Sequence, residues 1–447
     1  MFPNPQDALP LPVRPDLEQY RKLAKDLVKA CRSSDPDAIG AWADRWIESL
    51  ARAAGRFSDL AEPRTKDRRV AQVEEFATRT LKGKRSSRGT LAGAQLVLAR
   101  SHGFPSWPKF VVHLDRLAHS GSDVAAFEAA ADAIVSGNEA TLRRLISADP
   151  GLVRARSPRE HRATLLHYVS ANGVEGYRQV TPMNIVAIAM ILLDAGAEVD
   201  AEADVYAGGS TTLGLVATSA HPRIAGVQVP LLRLLLDRGA RMERRGIAGH
   251  DHGVVMACLA NGCPEAAVFL AEQGAPLDLV GAAGVGRLDA VRSWFDPQGA
   301  PRPGLAAETI HYAFRMACFC GRNDVVEFLA DRGVDLAGHS GDGQTGLHYA
   351  GMGGKLDTIK LLLRRGAPLE AVNEYGGTVL GQTLWSAAHG GDPKVYAPIV
   401  ETLVGAGARL YREPPVNPEV DAILTRHGCP PDPTLWWYGE RPRRRQA

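Results

Sequence analysis

The sequence predicts an all-α protein built as a solenoid. Short helix-turn-helix units with short hairpin loops stand in a row, preceded by a small helical N-terminal module. Three observations carry this. An apolar helical run is closed by a glycine again and again, at Gly196, Gly239, Gly274, Gly299, Gly333, Gly366 and Gly407. A second glycine stands 12 residues before three of these, at Gly262, Gly321 and Gly354. The runs themselves, such as Val325-Val-Glu-Phe-Leu329 and Ile359-Lys-Leu-Leu-Leu363, carry apolar residues at helical spacing. A glycine at such an end takes the left-handed conformation that stops a helix, and the fixed offset marks the turn inside each pair.

The N-terminal part reads as helices over residues 14–54. Leu17, Tyr20, Leu23, Ala24, Leu27 and Val28 share one helical face. Ser34-Asp-Pro36 stops one helix and restarts the next, with Asp35 as cap and Pro36 at the first helical position. Trp42, Trp46 and Leu50 then form a buried stripe. Residues 82–90 are polar and basic and read as a loop. Leu91 to Arg100 forms another helix, Gly103 ends it, and Ser106-Trp-Pro108 opens the next. Trp107 and Phe110 are expected to plug that junction.

The first repeating unit spans 124–157, with helices at Phe127–Val135 and Ala140–Ile146. About eight irregular units follow one another to residue 411. The glycine spacings of 43, 35, 25, 34, 33 and 41 show units with insertions and one truncated unit. Insertions at 174–184, 222–230 and 392–397 fall between the two helices of a unit, on one edge of the stack, where they offer a second docking edge. Short helices of small residues, such as Leu347–Gly354, let neighbours approach closely. Pro418–Arg426 is a closing helix. The division expected is 1–122, 123–411 and 412–447.

These landmarks resemble the ankyrin family. Its T-P-L-H turn is approached by Thr345-Gly-Leu-His348 and Thr164-Leu-Leu-His167, and more loosely by Thr211-Thr-Leu-Gly214 and Thr378-Val-Leu-Gly381. Proline is missing from every copy. The resemblance covers roughly residues 124–411. The strings Asp16–Leu27 and Leu91–Phe110 resemble a helical leader found before such repeats in many bacterial proteins, a module of undefined activity. We read it as a cap or adaptor over the first repeat, since end units need a polar outer face.

Composition narrows the function. Apolar residues at 45% and charged residues at 23% describe a folded chain rather than a disordered one. The longest apolar run, Ile185 to Leu193, is half of what a membrane span needs. The N-terminus has no basic and apolar secretory pattern. Six scattered cysteines form no C-x-x-C pair, so reduced thiols in a cytoplasm fit best. Residues 1–122 carry a net +7 and the last seven residues +4, which leaves −9 for the body.

No motif points to catalysis. In the T-x-L-H turns His167 and His348 read as links between backbone and hydroxyl groups of neighbouring units. His250-Asp-His252 has the spacing of two metal ligands on a hairpin but no evident third. Cys318 and Cys320 do not share a helix face. Gly281-Ala-Ala-Gly-Val-Gly286 follows no strand, so it is no nucleotide loop. The expectation is therefore a monomeric, cytoplasmic, non-catalytic scaffold without cofactor or metal. A protein partner is held by the concave face and hairpin tips of the array. The tip residues expected to touch it are Arg241, Arg244, Arg245, His250, Asp251, His252, His339, Asp342, Asn373, Glu374 and Tyr375. Two rival readings are an enzymatic or ligand-binding activity in residues 1–122, and nucleic-acid association through the basic ends, including Arg441–Arg445. The cluster Trp436-Trp-Tyr438 is read as folding back on the array.

Overall fold

The computed structural model describes residues 4–53, 60, 62–82, 89–119, 121–206, 208–242, 253–410 and 416–429. The cluster Trp436–Tyr438 and the run Arg441–Arg445 lie outside them. The chain divides into two compact units, Met1–Ala266 and Ala267–Ala447. Both are mostly helical. Among the described residues the only sheet is one two-stranded hairpin, and no helix is long and apolar enough to cross a membrane.

The first unit opens with five helices: α1 (Leu17–Arg32), α2 (Ala38–Ala53), α3 (Pro63–Lys82), α4 (Leu91–Ser101) and α5 (Trp107–Ala118). Asp16 caps α1 by accepting the Glu18 N–H, and Thr90 caps α4 by accepting the Gly93 N–H. α1 packs on α2 and α4, α3 on α2 and α4, and α5 on α4. Their apolar faces enclose Tyr20, Trp42, Trp46, Phe104 and Phe110. His102 stacks on Phe110 at 5.2 Å, and its Nδ1 donates to the Leu9 carbonyl at 3.0 Å, pinning the N-terminal segment. The helix α3 was not foreseen. Its charged residues hide a stripe of Val73, Ala77 and Leu81, all fully buried.

Repeating pairs follow. α6 (Asp123–Val135), the 3-10 helix Leu165–Ser170, α9 (Thr212–Ala217) and α12 (Gly253–Ala260) form an inner row. α7 (Glu139–Ala148), α8 (Ile185–Asp194) and α11 (Gln228–Asp237) pair with them, and α10 (Ala220–Ile224) precedes α11. Strands β1 (Glu202–Ala203) and β2 (Ser210–Thr211) pair antiparallel in the finger before α9. α13 (Pro264–Glu272) spans the division between the units.

A buried charge cluster joins the first repeats to one another, and α5 touches it through His113. Arg159 Nη1 lies 2.5 Å from Glu128 Oε1 and 3.0 Å from Glu175 Oε1. Arg178 Nη1 lies 2.8 Å from Glu128 Oε2, and its Nη2 lies 2.7 Å from Asp132 Oδ1. His113 of α5 and His161 close the sides. Burial alone raises the Glu128 carboxyl, but Arg159 and Arg178 outweigh it and hold it down at about 2. Glu175, Tyr177 and Arg178 come from the insertion at 174–184, so much of that segment is inside and not a free edge.

The second unit repeats the pairing more regularly. α14 (Leu279–Val285), α16 (Ala307–Cys320), α18 (Gly346–Met352) and α20 (Val379–Ala388) pack each on the next. α15 (Leu288–Arg292), α17 (Asn323–Ala330), α19 (Leu356–Arg364) and α21 (Pro393–Gly405) make the second row, and α22 (Pro418–Arg426) closes on α21. Gly321 ends α16 at φ +74°, and Gly333 follows α17 at φ +79°. Small residues permit the contact of α16 with α18. A Cβ at Gly353 would stand 2.1 Å from the Phe319 carbonyl oxygen, and one at Gly346 would stand 2.6 Å from the Phe314 ring. The stretch Gly281–Gly286 lies in α14 and its cap.

Two expectations follow for stability. Arg159→Ala leaves Glu128 and Glu175 buried without their cation, so unfolding free energy drops by about 3–5 kcal/mol in a urea titration. Burial lowers the imidazoles of His102 to about 3 and of His113 and His167 to about 4. Below pH 6.5 the unfolded chain binds protons that these folded rings refuse. The thermal midpoint is therefore expected to fall steadily from pH 7 to pH 4, as followed by circular dichroism.

Candidate interaction surface

Two fingers of the second unit, closed at His339–Thr345 and Val372–Thr378, end in hydrogen-bonded turns. In the first, Ser340 N–H donates to the Gln344 carbonyl at 3.0 Å and Gly343 N–H to the Ser340 carbonyl at 2.9 Å. Asp342 is held inside that turn by the Ser340 hydroxyl and by Gln344 Nε2. In the next finger Asn373 is the organiser. Its Oδ1 accepts from the N–H groups of Tyr375 at 3.1 Å and Gly377 at 2.9 Å. Adjacent tips are also joined directly, because the Glu374 N–H donates to the Asp342 carbonyl at 2.9 Å.

This geometry sorts the tip residues named from the sequence. His339, Glu374 and Tyr375 face solvent, and Tyr375 is 81% exposed. Asp342 is half-buried and Asn373 is buried, so both chiefly shape the turn. In the first unit Arg241 is exposed but engaged. Its backbone N–H and Nε bind Asp200 at 3.1 and 2.7 Å, linking two successive fingers. Arg244, Arg245, His250, Asp251 and His252 lie outside the described residues. Among the described residues no cluster of three or more His, Cys, Asp or Glu side chains has a metal-binding arrangement.

The two T-x-L-H histidines sit behind the tips. His167 Nδ1 accepts the Thr164 N–H at 3.1 Å, and His348 Nδ1 accepts the Thr345 N–H at 3.2 Å. That leaves Nε2 as the protonated nitrogen. It donates to the carbonyls of Ser210 and Gly377, at 3.3 and 3.4 Å, each in the next finger. Both rings are buried, and their work is to join units. Burial pushes the Cys318 thiol up, and pushes Cys320 up to about 11, so neither is a thiolate at neutral pH.

The inner row adds residues that the sequence reading passed over. Tyr312 and Phe319 lie on α16, Tyr349 on α18 and Trp385 on α20, all at least partly exposed. Phe319 and Tyr349 meet edge to face at 6.4 Å. Trp385 is 49% exposed and stacks on His389 at 4.2 Å. The tell-tale was an aromatic residue in a helix otherwise built of small ones. In the first unit a groove of ≈ 350 Å³ lies between the finger and the inner row, lined by Asn172, Tyr206, Thr218, Ser219, His221 and Asn261 among others. Tyr206 adopts φ +50°, and its hydroxyl lies 2.6 Å from Asn172 Oδ1.

Comparison with known proteins bears on the second unit most directly. Residues 309–413 match the family model for ankyrin repeats in three copies. Among solved structures, the chain is similar to the ankyrin repeat domain of Bcl-3, described as a unique member of the IκB protein family. That likeness has 20% identity and a TM-score of 0.29, over 61% of this chain and 97% of the other.

The tip geometry separates two kinds of substitution. Asn373→Ala removes two acceptor bonds and is expected to cost about 1–2 kcal/mol in urea unfolding. Tyr375→Ala is expected to stay within about 0.5 kcal/mol of the parent, since its ring packs on little.

Proposed function

We propose that this chain, an ankyrin-repeat protein by its matched repeats, is a non-catalytic scaffold that holds a partner protein on the concave face and hairpin tips of its array. Ankyrin repeats are in general protein-interaction units, and the finer reading rests on one observation. Large aromatic side chains stand outside the core in a framework that does not need them. Tyr375 projects from a turn closed by Asn373, and Trp385 projects from a helix anchored by its opposite face. Tyrosine and tryptophan supply much of the binding energy of protein interfaces, and the stack on His389 holds one ring ready.

Charge supports the same reading. The strongly displaced carboxyls Glu128 and Glu175 are buried against arginines and serve to join helices. In this proposal residues 1–122 cap the array, and residues 412–447 close it with a helix and a basic tail. The protein acts as a monomer in the cytoplasm, in keeping with six free thiols.

The test is affinity purification with mass spectrometry, comparing wild type with the double variant Trp385→Ala, Tyr375→Ala. Partner recovery is expected to fall at least tenfold, with the circular dichroism spectrum unchanged. An identical set of recovered proteins at identical yield would remove the basis of the reading.

A further inference from the structure

One cation in the second unit is buried with too few partners. Arg315 on α16 is 3% exposed. Its Nη2 donates to Glu308 Oε1 at 2.6 Å, while its Nε and Nη1 are buried without any hydrogen-bond partner. The guanidinium carbon lies 5.9 Å from the centre of the Tyr312 ring. The first unit shows what this chain does when it buries arginine as structure. There Arg178 contacts Glu128, Asp132 and Glu175, and Arg159 contacts two of these carboxylates. A buried charge is costly unless its donors are filled, and Arg315 leaves those on two of its three nitrogens empty.

Its single carboxylate is also a loosely held one. The Glu308 side chain is 72% exposed, in the first turn of α16, and is free to turn to solvent. The surroundings favour negative charge at this point. His311 and His339 act on Glu308 along with Arg315. The base of the finger lies close beside it, since a Cβ at Gly338 would stand 2.8 Å from His311 Nδ1. The base of the finger and α16 thus meet one turn from Glu308, on the helix face shared by Tyr312, Arg315 and Phe319.

We propose that Glu308 holds the place of an acidic side chain of the partner protein. On docking, an aspartate or glutamate of the partner takes the position on Arg315, and Glu308 swings out to water. A guanidinium pairs with planar carboxylates better than a lysine does. The proposal rests on the reading that this face binds a protein.

Two measurements on the full chain decide it. Acetate serves as a stand-in carboxylate for Glu308→Ala. Sodium acetate at about 0.1 M, against sodium chloride at equal ionic strength, is expected to raise the unfolding midpoint of Glu308→Ala by about 2 °C. Wild type and the double variant Glu308→Ala, Arg315→Met are expected not to respond. If the double variant does not fold, the contrast of the single variant with wild type still decides. In affinity purification, Glu308→Gln is expected to recover several-fold more partner than wild type, because the internal competitor is gone. No acetate effect on Glu308→Ala, or unchanged or reduced recovery by Glu308→Gln, overturns the proposal. The broader reading stands or falls separately, on the Trp385 and Tyr375 variant.

Discussion

A pair of short helices cannot keep water off its own apolar flank. Every regular feature of the second unit answers that constraint. α16 covers α14 and is covered by α18, which is covered in turn by α20. The close approach is possible because Gly346 and Gly353 present backbone where other residues would present side chains. The second row repeats the arrangement through α15, α17, α19 and α21. Each pair is stable only in company, so stability is a property of the stack and not of any one pair. The fingers are freed from that duty, and this is why their tips vary in sequence without cost to the core.

The first unit meets the same constraint differently. Its leading helices have a core of their own around Trp42, Trp46 and Phe110. Where that core meets the repeats, Arg100 of α4 pairs with Glu160, Phe104 lies under the Arg159 guanidinium, and His113 of α5 faces Glu128. Four carboxylates and arginines, Glu128, Arg159, Glu175 and Arg178, are sealed between α5, α6 and the finger before the 3-10 helix. An apolar contact there would tolerate sliding. Paired charges do not, because any shift leaves a charge stranded in low dielectric.

How much of this was written in the sequence depends on the kind of signal. Helices with an apolar run and a terminal glycine, such as α17 and α19, were legible, and the closing helix α22 matches its expected bounds. The histidine of each T-x-L-H turn was legible as a link. Helix α3 was not, because its three-residue stripe is diluted by arginine and glutamate. The charge cluster was not, because Glu128, Arg159, Glu175 and Arg178 are far apart in the chain and each looks like a surface residue. On the candidate face, tips were named because they are polar turns. Burial of Asn373 follows from its role inside the turn, which residue type alone does not reveal. Arg315 and Trp385 were passed over because residues within an apolar helix read as core.

The link from the Glu374 amide to the Asp342 carbonyl has a mechanical consequence. Neighbouring fingers are laced edge to edge, outside the helical stack. Lengthening one finger by even a residue would put its amide out of step with the carbonyl it meets. Extra chain is therefore tolerated on the far edge, where the pairs turn. In these two laced fingers, closed at His339–Thr345 and Val372–Thr378, variety at the tip comes by exchanging side chains on loops of equal length.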